Sequence, residues 1–442
     1  MGRWFVLVCM LVSMLAAGAL AAAAAADQLD VRPPSPSPVV VDGPPPVTVA
    51  HGADARWHNS PVTVTFSATS SVSTVTDTFV QVDGGGAEAT TAVVVKAPRT
   101  HADDGEHVLT FWSVDADGRT EAPQTVTVKI DTRPPSIGDL RLRPDVLHRV
   151  QPFRVSFTLA DISSGARLSY QVLDQYGYLA RRAHGVAVDE GARSVDIPDR
   201  YANGKAFVPG LFRVTLTFTD QAGNRTVTRP LLVRDYHPVR AQITYSVPGA
   251  GKRVALTFDD GGSASTWARM LDTLKAYHMH ATFFIIGPYV QAEPKVAKRA
   301  VREGNGIGSH GWTHTPMTRQ SIDQVRHELV ASEAPWWRAA QATPVGWMRP
   351  PYGDHNASTV AAAGSVGFEH VVLWDVDPGD WRGYGASTIA VNTLSHVHAG
   401  AIVGLHVRPA TAAALPTILR GLRARGYTSV SLPELFHAAG RR

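Results

Sequence analysis

The sequence has a single cysteine, Cys9, among 442 residues, and this scarcity excludes several kinds of chemistry. Cys9 lies in an apolar stretch at the start of the chain, so the rest of the protein has no pair for a disulfide and no thiolate for a metal. The chain also lacks a block of basic residues, because its 42 Lys and Arg are dispersed among 38 Asp and Glu. We therefore expect no nucleic-acid partner.

One long apolar run extends from Trp4 to Ala26, after Met-Gly-Arg and before a polar segment. Its length and its small residues before a cleavage point predict a secretory signal over residues 1–26. The alternative is an uncleaved membrane anchor, because about 20 apolar residues can span a bilayer. Either interpretation predicts a protein that is secreted or held in the cell envelope, outside the cytoplasmic membrane.

Residues 27–47 are rich in proline and predict an extended linker. Short alternating runs with Gly and Asp turns follow, and they predict two all-β sandwiches over residues 48–132 and 133–237. The stretches "SVDADGRT" and "FTDQAGNRT" indicate that one hairpin is used in both. The segments "WHNSPVTVTFSA" and "VKIDTRPP" resemble immunoglobulin-like modules of secreted bacterial surface proteins. This resemblance implies spacing or contact with the cell wall or a glycan.

Residues 242–440 change to β-branched or aromatic runs that alternate with helical stretches. This alternation predicts a parallel α/β sheet, either open or closed into a distorted (β/α) barrel. In both architectures the functional residues lie at the carboxyl ends of the strands.

Five short motifs carry the chemistry of this last segment: "TFDDG", "HGWTH", "RPPYG", "DPGDW" and "LH". The first has Asp259 and Asp260 at the end of an apolar strand. The second spaces His310 and His314 so that both rings can face one point. Two imidazoles and one carboxylate are a common ligand set for a catalytic divalent metal. Each motif alone is weak, since "DDG" is also an ordinary turn.

The order and spacing of the five motifs resemble those of the polysaccharide deacetylases of carbohydrate esterase family 4, which share the NodB-homology domain. The resemblance covers residues 243–438 and implies a distorted (β/α) barrel. It implies that a divalent metal, Zn²⁺ in the first place and otherwise Co²⁺ or another ion, is bound by Asp260, His310 and His314. It also implies that Asp259 stays off the metal as the general base.

The remaining motif residues have implied roles too. Arg349 would hold Asp259 in place, and the backbone N–H of Tyr352 would donate to the oxyanion. His406 would protonate the departing amine, with Asp380 orienting its ring. Two apolar side chains would either form walls of the slot for the acetyl methyl group or belong to the core: Trp381 and Leu405.

Two residues depart from the family pattern. Gly311 stands where the family usually has Ser or Thr, and Gly262 stands where Pro is common. The first change predicts altered rigidity of the metal loop, and the second predicts a more mobile loop beside the carboxylate pair. Three histidines match no motif and are expected at the surface or in the core: His355, His396 and His398.

The sequence thus predicts a metal-dependent hydrolase that removes N-acetyl groups from an amino-sugar polymer, such as peptidoglycan or a chitin-like glycan, to leave a free amine and acetate. An O-acetyl esterase acting on a xylan-type glycan is the enzymatic alternative, since one scaffold can serve several substrates. A glycan-binding cell-surface protein without catalysis is the alternative from another class. The β-sandwiches or an uncleaved anchor would associate the chain with the envelope.

Overall fold

The computed structural model describes residues 43–441. The predicted signal over residues 1–26 lies outside the described residues, as does most of the proline-rich linker. Among the described residues, no helix combines the length and the apolar character that a bilayer crossing requires.

The first β unit, residues 47–130, is built from a three-stranded and a five-stranded sheet. On Val62–Thr69 the buried residues alternate with exposed ones, so Val62, Val64 and Phe66 face inward. They share one hydrophobic cluster with residues of the other sheet, such as Leu109 and Phe111. The strands are β1 (Val47–His51), β2 (Trp57–His58), β3 (Val62–Thr69), β4 (Val75–Val82), β5 (Ala87–Ala89), β6 (Ala92–Val95), β7 (Gly105–Asp115) and β8 (Gln124–Ile130).

The second β unit, residues 136–235, repeats this plan. A three-stranded sheet in the order β14-β11-β9 and a six-stranded sheet around β15 and β12 enclose a second cluster that includes Phe157 and Phe218. The region is therefore mostly sheet, as predicted, while its immunoglobulin-like kinship stays a prediction. The strands are β9 (Ser136–Arg143), β10 (Val146–Leu147), β11 (Phe153–Ala160), β12 (Ala166–Asp174), β13 (Leu179–Val188), β14 (Gly191–Ile197), β15 (Gly210–Asp220), β16 (Arg225–Val227) and β17 (Leu231–Asp235).

The C-terminal part is a parallel eight-stranded sheet in the order β18-β23-β22-β21-β20-β19-β24, with β25 paired to β19. The predicted parallel α/β architecture is confirmed and takes the form of an incomplete (β/α) barrel. The strands are β18 (Gln242–Thr244), β19 (Arg253–Asp260), β20 (Thr282–Ile285), β21 (Gly306–Ser309), β22 (Trp347–Met348), β23 (His370–Val372), β24 (Ile402–His406) and β25 (Thr428–Ser429).

Eight α-helices cover the barrel strands. Three of them begin at serines whose side chains accept a backbone N–H of the first turn: Ser263 before α1, Ser321 before α4 and Ser431 before α8. Trp267 of α1 and Trp336 of α4 meet edge to face in the core, with ring centroids 6.2 Å apart. The helices are α1 (Ala264–Tyr277), α2 (Gly287–Ala292), α3 (Pro294–Arg302), α4 (Ile322–Ala340), α5 (Ala357–Ser365), α6 (Ala386–His396), α7 (Pro409–Ala424) and α8 (Leu432–Ala438).

The second β unit contacts the barrel through specific polar and aromatic pairs. The side chain of Gln175 donates to the carbonyl of Thr343 at 2.8 Å and accepts from its N–H at 3.1 Å. Tyr178 stacks on His437 with ring centroids 4.0 Å apart. These contacts join the two parts across their interface.

We predict that Gln175→Ala lowers the free energy of unfolding by about 1–3 kcal/mol, because the buried backbone of Thr343 loses both partners. Calorimetric unfolding of the whole chain would measure this, with Gln171→Ala, an exposed residue of the preceding strand β12, as the control. Equal stability of the two variants would contradict the prediction.

Candidate active site

The residues of the five motifs meet at one end of the barrel because parallel strands bring their carboxyl ends to the same edge. Asp259 and Asp260 end β19, and His406 ends β24. The pairing of these two neighbouring strands sets Asp259 opposite His406. His310 directly follows β21, and Arg349 directly follows β22.

Three predicted metal ligands converge on one point. The Nε2 atoms of His310 and His314 lie 3.4 and 3.1 Å from Oδ1 of Asp260. Nδ1 of His310 is 2.8 Å from the carbonyl oxygen of Arg349, to which it donates, so Nε2 is left as the ligand atom. Burial opposes ionisation of Asp260, yet the two histidines hold its pKa well below the usual range. This donor set fits a divalent metal ion.

The backbone around these ligands is strained. Asp260, His314 and Tyr352 all have positive φ angles, of 71°, 58° and 64°. Residues other than glycine in this left-handed region cost on the order of 1 kcal/mol each and persist where the surrounding structure imposes them. Three residues of the predicted site thus share this conformation, although six other described residues outside the site have it as well.

Asp259 has a different partner from its neighbour Asp260. Nη1 of Arg349 donates to Oδ1 of Asp259 at 2.7 Å. Arg349 is completely buried, and its other N–H groups donate to Thr257 Oγ1 and to the carbonyls of Val372 and Leu373. The guanidinium thus holds Asp259 in one orientation.

His406 forms a second charge-linked pair. Its Nδ1 lies 2.8 Å from Oδ1 of Asp380, and its backbone N–H donates to Oδ2 of the same carboxylate. Thr411 donates to Oδ2 as well. Burial alone would lower the pKa of His406, but the hydrogen bond to Asp380 and the charges of Asp259 and Asp380 raise it above its ordinary value. Nε2 of His406 remains for another group.

The loop that carries the two histidines is braced by Glu328 of α4, a residue that the sequence reasoning missed. Glu328 is only 5% exposed, and its carboxylate accepts from the N–H groups of Trp312 and Thr313 at 2.6 and 2.8 Å. It also accepts from the hydroxyl of Thr313. The available signal was an acidic residue on the face of α4 that also buries Val325 and Leu329.

The same carboxylate explains Gly311. With φ at +77°, Gly311 has a conformation that favours glycine, and a Cβ there would lie 3.0 Å from Oε2 of Glu328. Gly311 lacks the hydroxyl of the Ser or Thr that the family usually has here. The Glu328 carboxylate braces the loop instead, through the N–H groups of Trp312 and Thr313. Gly262 is also closely packed, since a Cβ would lie 2.5 Å from the carbonyl oxygen of Val407.

The remaining predicted residues differ in exposure. Tyr352 is 67% exposed, and its ring centroid is 4.7 Å from that of His314. Trp381 is half exposed and carries the guanidinium of Arg382 over its ring. Leu405 is fully buried in the hydrophobic core of the barrel.

The three histidines outside the motifs make their polar contacts with groups other than the candidate metal ligands. His355 contacts the carbonyl of Gly353 through Nδ1, and His398 pairs with Asp375 at 2.9 Å. His396 is exposed at the end of α6.

Comparison with known proteins gives this geometry a family. Residues 246–371 match the family model described as "Polysaccharide deacetylase". The chain is similar to the peptidoglycan-N-acetylglucosamine deacetylase PgdA of Listeria monocytogenes, with 38% identity over 186 residues, or 42% of this chain and 39% of that protein. It therefore spans about two fifths of the length of that relative.

Shorter relatives are covered almost entirely. A peptidoglycan-N-acetylglucosamine deacetylase of Bacillus cereus is 32% identical over 210 residues, which is 46% of this chain and 97% of that protein. Among solved structures, a family 4 carbohydrate esterase from Streptomyces lividans in complex with acetate is 32% identical and covers 40% of this chain and 92% of its own, with a TM-score of 0.38.

We predict that Glu328→Ala weakens the affinity for Zn²⁺ or Co²⁺ by roughly 10- to 100-fold, because the loop between His310 and His314 loses its brace. Glu328→Gln keeps an acceptor oxygen, so we expect its metal affinity to lie between those of the wild type and Glu328→Ala. Competition with a chelator would measure the affinities. The control is Asp323→Asn, which removes an exposed carboxylate from the same helix. If the metal affinities of these variants did not differ, the role of Glu328 in holding the metal loop would be refuted.

Proposed function

The chain belongs to the polysaccharide deacetylase family, and from this membership we propose that it removes N-acetyl groups from an amino-sugar polymer, releasing acetate and leaving a free amine. The observation that supports this most is the division of partners between two adjacent carboxylates. Asp260 faces the two histidines, whereas Asp259 faces Arg349 and lies opposite His406. A metal ligand and a proton acceptor are thereby held side by side.

Asp260, His310 and His314 would hold the divalent ion, which we propose to be Zn²⁺, since two imidazoles and a carboxylate suit zinc and leave positions open. When bound, such an ion supplies Lewis acidity that polarises an acyl oxygen and acidifies water.

Asp259 would act as the general base. Its Oδ1 is fixed by Arg349, so the carboxylate is positioned to take a proton from the water that attacks the acetyl carbonyl carbon. The backbone N–H of Tyr352, on the strained turn beside His314, would donate to the oxyanion that develops.

His406 would act as the general acid. As the bond between carbonyl carbon and nitrogen breaks, the departing amine requires a proton, and the raised pKa of His406 favours the imidazolium form that can donate it. Asp380 would orient the ring and favour its charged form. An alkoxide needs less help than an amine anion, so this feature favours amide over ester hydrolysis.

For the substrate we propose an envelope glycan such as peptidoglycan or a chitin-like polymer. The relatives at 38% and 32% identity are described as peptidoglycan-N-acetylglucosamine deacetylases. The half-exposed ring of Trp381 suits contact with a sugar, and we propose Trp381 as a wall of the acetyl slot. Leu405 is fully buried and takes the alternative role of a core residue. The apolar segment over residues 1–26 supports export to the compartment where such glycans lie.

We predict that Asp260→Ala loses both metal and activity, whereas Asp259→Asn keeps its metal and loses turnover by roughly 10²- to 10⁴-fold. Metal content by mass spectrometry and acetate release from an N-acetylglucosamine oligomer would separate the two. If the metal-loaded wild type released no acetate from any N-acetylated glycan, the proposed function would be wrong.

We predict that Asp380→Asn shifts the alkaline limb of the kcat/KM profile to lower pH. The wild type loses its general acid as pH rises through the raised pKa of His406, and removal of the carboxylate lowers that pKa, so the loss begins earlier. Rates measured across the pH range on one N-acetyl substrate would reveal the shift. An unmoved limb would exclude His406 as the acid.

A further inference from the structure

A second group of acidic side chains lies far from the barrel, where the two β units join. Asp131 follows β8, Asp161 follows β11 and Asp220 ends β15. One carboxylate oxygen of each lies within 4.8 Å of the others. We name these three residues the junction cluster; it combines the end of the first β unit with two positions of the second.

The junction cluster has no cationic partner among residues 43–441, where no ion pair joins Lys, Arg or His to any of its members. The nearest arginine along the chain, Arg133, pairs instead with Asp104 at 3.3 Å. The three carboxylates therefore repel one another at close range, and the donors they have within the described residues are neutral: Ser163 for Asp161, Asn224 for Asp220 and the backbone N–H of Arg133 for Asp131.

Asp131 shows the consequence most clearly. Its side chain is 0% exposed, and Oδ1 accepts the backbone N–H of Arg133 at 3.0 Å. Its Oδ2 is buried and has no hydrogen-bond partner within the described part of the chain. Burial together with Asp161, Asp220 and Asp104 raises the pKa of Asp131 to about 6. A buried acceptor with this surrounding charge requires either a proton or a cation.

The hairpin that is repeated in both β units explains why the negative charge of the junction cluster is not neutralised by a cationic side chain. In the first β unit, Arg119 donates its backbone N–H and its guanidinium to Asp115, with Nε 2.8 Å from Oδ2. In the second unit, Asn224 makes the same two kinds of bond to Asp220, with Nδ2 2.9 Å from Oδ2. One turn thus supplies a cation and the other a neutral amide, and the neutral one stands where Asp131 and Asp161 also converge.

We propose that the junction cluster binds a hard divalent cation, Ca²⁺, which bridges the two β units. All three side chains offer oxygen, the donor that Ca²⁺ prefers, and none offers nitrogen or sulfur. Two oxygens on opposite sides of a Ca²⁺ lie about 4.8 Å apart, given bonds of about 2.4 Å, so three oxygens that all lie within 4.8 Å of one another are close enough to share one ion. Asp161 is partly exposed and gives the ion a route from solvent.

The bound ion would fix the angle between the β units. The direct polar contacts at this junction include Asn224 Nδ2 to the carbonyl of Asp131 at 2.8 Å and Thr226 Oγ1 to the carbonyl of Pro135 at 2.6 Å. A cation shared by Asp131 on one side and by Asp161 and Asp220 on the other would make this joint rigid.

The test is calorimetric titration of the whole, chelator-stripped chain with Ca²⁺. To separate this site from the barrel, the titration is repeated in a His310→Ala/His314→Ala chain, which is expected to bind Ca²⁺ as the wild type does. Asp131→Asn and Asp220→Asn should each weaken binding by roughly tenfold or more, because each removes a charged ligand. The control is Asp196→Asn, an exposed carboxylate paired with Arg154 on the same β unit.

Thermal unfolding gives a second reading that does not depend on catalysis. Ca²⁺ should raise the melting temperature of the wild type and of Asp196→Asn equally, and raise that of Asp131→Asn less at the same Ca²⁺ concentration. Should a buried substitution fail to fold, the partly exposed Asp161→Asn serves in its place. Absence of Ca²⁺ binding in the His310→Ala/His314→Ala chain, or binding that survives loss of Asp131, Asp161 and Asp220 alike, would overturn the proposal.

Discussion

A buried guanidinium is tolerated only when its N–H groups find acceptors, and Arg349 meets this condition with two carbonyls, one hydroxyl and the carboxylate of Asp259. These acceptors belong to β19 and to the end of β23, while Arg349 itself follows β22. One side chain therefore links three strands, β19, β22 and β23, at their carboxyl ends. It also fixes the negative charge of Asp259 near His406, whose pKa that charge helps to raise.

The rest of the site depends on this arrangement. The carbonyl of Arg349 accepts from His310 and so selects the nitrogen that faces Asp260. The left-handed conformations of Asp260 and His314 accompany their approach to each other, at a cost that the packed barrel bears, and Tyr352 has the same conformation beside His314. Glu328 contributes from the far side by fixing the loop between the two histidines.

The two β units show how a small change in a repeated turn alters local electrostatics. The turns at Asp115 and Asp220 have the same backbone bonds, but only the first contains an arginine that neutralises its carboxylate. At the end of the second unit the chain meets the barrel through Gln175 and Tyr178 instead. The two junctions thus use different chemistry, since the one between the β units gathers three carboxylates without a cationic side chain, whereas the one with the barrel also places the guanidinium of Arg234 over the ring of Trp337.

The sequence by itself determined the architecture of the barrel and the residues that meet there, because strand-helix alternation and five ordered motifs are local patterns. The tertiary structure alone decided which carboxylate faces which partner, since a pattern such as "DDG" does not reveal the φ angle of Asp260 or the burial of Arg349. For the same reason the junction cluster could not be predicted from the sequence, and Glu328 was marked only by its place on the buried face of α4. Their members are ordinary acidic residues until folding brings distant segments within bonding distance and removes the water around them.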